Sequence, residues 1–180
     1  MVKPAQRESY AESMLKGRMA ETLVEELLRA SGNEVYRFGY EAVLQNLTQI
    51  QDRFDRLNKA SERIRIFPDF IVLDRKGGPA FVEVKFRWDS RLDQEGDIKR
   101  LERLHADWDA KLVIVNCFQK PYFRIADPPY RDEKRGLLLR PLLAEANWKI
   151  KRELYEDAER LVEKYLSPTL ISLRHKALNL

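Results

Sequence analysis

The chain has 180 residues, 44% of them hydrophobic, enough to bury one sizeable core, so a single domain spanning 1–180 is expected. Its longest apolar runs, such as 112–115 and 137–139, fall far short of the roughly 20 residues a bilayer span needs, and residues 1–12 lack the apolar stretch of a secretory signal, so the expected location is the cytoplasm. A net charge of +4 permits nucleic-acid binding without demonstrating it, while a lone cysteine, Cys117, and two scattered histidines, His105 and His175, argue against an internal disulfide and against zinc chemistry.

Residues 8–31 read as a helix: Tyr10, Met14, Gly17, Ala20, Val24, Leu27 and Leu28 recur at helical spacing, and Ser31-Gly32-Asn33 supplies the stop. A short strand at 34–38 follows. In 41–60, Val43, Leu47, Ile50, Phe54 and Leu57 mark an amphipathic helix. Next come a β-like run at 64–73, a turn at 74–79 rich in Gly, and a second β-like run at 80–86, the clearest hairpin in the chain. Residues 93–109 return to helical spacing through Ile98, Leu101, His105 and Trp108, and 111–118 reads as a strand holding Cys117. Four of the eight prolines lie in 119–141, which reads as an irregular region with a short strand at 136–140. A final helix at 143–166 rests on Leu143, Ala146, Ile150, Leu154, Leu161 and Tyr165.

The hairpin carries the chemistry. Its second run reads FVEVK, so Glu83 and Lys85 project from one face together with Phe81, while Val82, Val84 and Phe86 take the other. Its first run reads FPDFIVL, in which Asp69 is a lone carboxylate among apolar residues. Folding about the turn sets Asp69 opposite Glu83 or Val84, and a directly opposed pair would have Cβ atoms about 5 Å apart. Two carboxylates that close repel one another, and a divalent cation between them removes the penalty. Mg2+, which takes oxygen ligands and keeps several waters, suits such a site. Lys85, one pleat along, is positioned to hold an attacking water or to stabilise charge on a phosphate.

Pro68-Asp69, thirteen intervening residues and Glu83-Val84-Lys85 resemble the PD-(D/E)xK signature of restriction-endonuclease-like nucleases. The order of elements, leaving aside 41–60, is similar to the αβββαβ core of that fold, with a mixed central sheet flanked by helices. On this likeness 41–60 is a helical insertion after the first strand, and the C-terminal helix is an addition. Gly17 and Glu21 also resemble the G-xxx-E opening of archaeal Holliday junction resolvases, and Glu21 falls on the side of the first helix that carries Met14, Val24 and Leu28. The resemblance implies a Mg2+- or Mn2+-dependent nuclease acting on DNA. In it, Asp69, Glu83 and the backbone carbonyl of Val84 bind metal, Lys85 serves catalysis, and Glu21 points at the site.

Among the basic residues that follow, Arg87, Lys99 and Arg103 are candidates for phosphate contacts, and Tyr40, Trp88 and Trp108 for base stacking, although the spacing of Trp108 favours the core. Two other readings compete. The three site residues could form an ion-paired patch on a binding module for nucleic acid or protein, or the amphipathic helices could serve assembly. Symmetric cutting of two strands would call for a homodimer.

Overall fold

The computed structural model describes residues 10–38, 63, 66–88, 92, 95–132 and 136–167. The predicted helix at 41–60 and Tyr40 lie outside them. Helix α1 (Tyr10–Ala30) is followed by strands β1 (Glu34–Arg37), β2 (Phe70–Leu73) and β3 (Pro79–Arg87), helix α2 (Glu95–Trp108), strands β4 (Lys111–Asn116) and β5 (Phe123–Ala126), short strands β6 (Arg131–Asp132), β7 (Gly136–Leu137) and β8 (Arg140–Pro141), a 3-10 turn (Leu142–Ala144), and helix α3 (Arg152–Tyr165). Six strands form one sheet in the order β1-β2-β3-β4-β5-β8. β3 and β4 run parallel, joined through α2, and the other neighbours are antiparallel. The protein is therefore a mixed α/β fold.

Alternation along the central strands sorts two cores. Val82, Val84, Phe86, Val113 and Val115 face Ala20, Val24 and Leu28 of α1 and Tyr155, Ala158 and Val162 of α3. Leu112 and Ile114 face the other way, toward Leu101 and Leu104 of α2, with Phe81 packed against that side. The sheet is thus covered on both faces, and the Glu83–Lys85 face of β3 lies under α2.

Local signals set several boundaries. Helix α1 ends in a Schellman motif: Asn33 N–H donates to the Leu28 carbonyl (3.1 Å), Gly32 N–H to that of Arg29 (2.8 Å), and Gly32 takes φ +89°. The β2–β3 turn is closed by Asp74, whose Oδ1 accepts the N–H groups of Lys76 (2.7 Å) and Gly78 (2.9 Å). Those two bonds hold its carboxyl below the usual value.

The structure corrects the sequence reading in several places. The first run of the hairpin is strand only from Phe70, and Asp69 sits in the bend just before it. Tyr10 and Met14 are exposed, so the buried stripe of α1 starts lower down. In α2 the buried position is Leu104, and His105 faces solvent. The strand after α2 stops at Asn116, and Cys117 is buried just beyond it.

The largest departure is C-terminal. β5, expected as loop, is a full member of the sheet with Phe123 and Ile125 buried, because Pro121 and Pro128 flank it without interrupting its ladder. The expected strand at 136–140 divides between β7 and β8, and Pro141 is tolerated because β8 is an edge strand. Helix α3 begins only at Arg152. Leu143, Ala146 and Ile150, counted as helix positions, precede it; Trp148 is buried from a turn in which Lys149 adopts φ +46°, and Ile150 is buried just after it.

Candidate functional site

Glu83 stands in the middle of β3 and is completely buried, which for a carboxylate demands partners. It has two. Lys85 Nζ lies 2.5 Å from Glu83 Oε1, and Arg100 of α2 donates to the same oxygen through Nη2 (2.9 Å) and Nε (3.3 Å). The other oxygen, Oε2, is buried and has no hydrogen-bond partner in the described structure. Burial alone would raise the Glu83 carboxyl, but Lys85 and Arg100 outweigh it and hold the group below its usual range.

Asp69 reaches this site from the neighbouring chain segment. The β2–β3 register pairs Phe70 with Val82, so one step back sets Asp69 opposite Glu83. Asp69 Oδ2 accepts the Val84 N–H at 2.7 Å. Burial, and next the charge of Glu83, push the Asp69 carboxyl well above its ordinary value; Lys85 acts against the rise, Glu21 of α1 adds to it, and the Val84 N–H acts against it. Four of the sequence-selected residues, Asp69, Glu83, Lys85 and Glu21, are thereby electrostatically linked.

Pro68 contributes by what it lacks. The Asp69 carbonyl accepts the Phe38 N–H at 2.8 Å, so Asp69 turns its backbone to β1 and its two neighbours turn theirs to β3. Pro68, just before it, has no N–H to donate. The Val84 N–H is taken by the Asp69 side chain.

These residues fit a divalent cation. Among the described residues no three or more His, Cys, Asp and Glu side chains gather as a metal cage. What exists is a carboxylate pair with one buried oxygen lacking a partner, oxygen donors of the kind Mg2+ takes when phosphate and water complete its shell.

Of the three expected phosphate contacts, Arg87 lies beside the site, since its partner Asp97 lines the cleft with Glu83 and Lys85. Arg87 pairs with Asp97 (2.5 Å), Lys99 pairs with Glu95 (2.6 Å) in solvent, and Arg103 lies on the exposed side of α2. Arg100, which the sequence reading did not select, is the cation on α2 that meets Glu83. Asp97, Leu101 and Leu104 follow one another at helical spacing with Arg100 beside them, so a wheel anchored on the two buried leucines would have turned it inward. Trp108 packs among Phe38, Phe67 and Phe81, with ring centroids 5.0–5.5 Å apart, and belongs to that aromatic cluster. Trp88 is half-buried, with the Lys16 ammonium 4.4 Å over its ring.

No described helix is long and apolar enough to cross a membrane. No protein-family model, curated protein or solved structure matches this chain.

Proposed function

We propose that this chain is a divalent-metal-dependent nuclease of the PD-(D/E)xK kind, hydrolysing phosphodiester bonds in DNA. One observation carries the reading: a fully buried glutamate with one oxygen lacking a partner, opposed by a second carboxylate and flanked by a lysine one pleat along its own strand. A solvated ion-pair patch would not bury its carboxylate completely. The order α1-β1-β2-β3-α2-β4 supports the restriction-endonuclease-like topology, and DNA rather than RNA follows from the motif resemblance.

In this reading Asp69, Glu83 and the Val84 carbonyl would hold Mg2+ or Mn2+. Such an ion, when bound, polarises a phosphate oxygen and lowers the pKa of a coordinated water. Lys85, held against Glu83, orients the attacking water or stabilises negative charge on the phosphate. Glu21, from the opposite side of the sheet, adds negative charge beside Asp69 and so strengthens the site for a cation. The Asp69 to Val84 hydrogen bond fixes the separation of the two carboxylates.

The test is calorimetric titration of Mg2+ and Mn2+ into the protein and into Asp69→Ala, with plasmid and branched DNA assayed for cleavage. Metal binding that vanishes in the variant, with cleavage that requires metal, is the expected result. Lys85→Met should bind metal yet lose cleavage by at least about 100-fold, the scale of one positioned acid–base or electrostatic group. A protein that binds no metal and cuts nothing would replace this reading with that of a binding module.

A further inference from the structure

We propose that Arg100 is the phosphate-binding residue of this site: it rests on Glu83 and turns to a phosphodiester oxygen when a divalent cation takes that carboxylate. The proposal rests on the nuclease reading and names a residue outside its motif.

Three observations carry it. A single oxygen of Glu83 receives contacts from both Lys85 and Arg100, three in all, more than its two lone pairs accommodate well. Of the two cations, Lys85 is fixed two residues along the same strand, whereas Arg100 arrives from α2 and is the more exposed, at 38% against 22%. Arg100 is therefore the one able to leave.

Charge gives the direction. Asp69 and Glu83 are opposed carboxylates, and Lys85 and Arg100 both rest on Glu83. A divalent cation on those carboxylates would add positive charge there and favour an anionic phosphodiester beside it. A guanidinium matches two phosphate oxygens through parallel N–H donors, a geometry that lysine cannot supply. Glu83, Lys85, Asp97 and Arg100 line one cleft, and Asp97 is already matched by Arg87, so it does not compete for Arg100 as its main partner.

The test uses the full chain, Arg100→Ala and Arg100→Lys, with two binding readouts. Ca2+ is titrated calorimetrically without DNA, and a fluorescein-labelled duplex of 20 base pairs, chosen as about two turns, is titrated by anisotropy in Ca2+ over a series of salt concentrations. Arg100→Ala should bind Ca2+ as tightly as wild type or tighter, because a competitor for Glu83 is gone. It should bind the duplex at least about tenfold more weakly, with the salt slope reduced by about 0.9, the value of one phosphate contact. Arg100→Lys should recover part of the loss. Loss of metal and duplex affinity together would overturn the proposal and make Arg100 a structural clamp on Glu83. Wild type that binds both ligands, with Arg100→Ala matching its duplex affinity, overturns only the role of Arg100. Wild type that binds neither overturns the nuclease reading and this proposal with it.

Discussion

Replacing Asp69 by Asn should stabilise the metal-free protein at neutral pH, the reverse of what most substitutions of a half-buried polar residue do. An amide keeps an oxygen to accept the Val84 N–H and removes the charge that opposes Glu83. Two unit charges about 5 Å apart in a medium of effective dielectric about 20 repel by roughly 3 kcal/mol. Lys85 offsets part of this, which leaves a net gain of about 1–2 kcal/mol for the variant. The pH dependence has a definite sign. Burial and then Glu83 hold the Asp69 carboxyl well above its ordinary 3.8, so between that value and the raised one the folded chain keeps a proton that the unfolded chain has released. Wild-type stability therefore falls as pH rises through this window, and the Asn variant lacks that fall. Urea unfolding followed by circular dichroism in EDTA should show the two proteins close together near about pH 4 and separating toward neutral pH. Added Mg2+ should reverse the order, because a ligand at a hundred times its Kd stabilises by about 2.7 kcal/mol and the variant lacks a ligating carboxylate. If Asp69→Asn proves less stable than wild type by about 1 kcal/mol or more in EDTA at neutral pH, the opposed-carboxylate account of this site is wrong.

Two further predictions concern the scaffold. Gly32→Ala should cost about 1–2 kcal/mol in thermal unfolding, since Gly32 closes α1 in the left-handed region and a Cβ there would meet Arg75 Nη2 at 3.1 Å; an unchanged Tm would refute the strain argument. Glu145→Gln should destabilise by about 2 kcal/mol, because buried Glu145 is shared by Arg140 (2.5 Å) and Lys111 (3.4 Å), both of which retain Asp127 as a second partner. Equal urea midpoints for wild type and Glu145→Gln would show that Asp127 alone suffices.

How much of the site was legible follows from the range of each interaction. Asp69, Glu83 and Lys85 could be chosen from the chain because their relation is local: a strand alternates with period two, and one short turn sets the register of its neighbour within a residue. The registration of Phe70 with Val82 falls inside that margin. Arg100 could not be chosen in the same way. Its meeting with Glu83 depends on how α2 is rotated over the sheet, which the burial of Leu101 and Leu104 decides and which the selection of Lys99 and Arg103 misses.

The same division runs through the fold. Sequence by itself determined α1 with its Gly32 stop, the β2–β3 hairpin with its Asp74 turn, and the helix–strand unit that follows, because each is specified by periodicity and by residues that favour a particular backbone locally. Only the tertiary structure decided β5 and the start of α3. Phe123–Ala126 is too short and too closely bordered by prolines to declare itself, and becomes a strand because β4 offers it a ladder and the core accepts Phe123 and Ile125. Leu143, Ala146 and Ile150 recur like a helix but precede it, and their segment is held where Asn33 Nδ2 donates to the Trp148 carbonyl at 2.9 Å across 115 residues of chain. Local preference sets what a segment can form; burial against distant partners sets which of those forms it keeps.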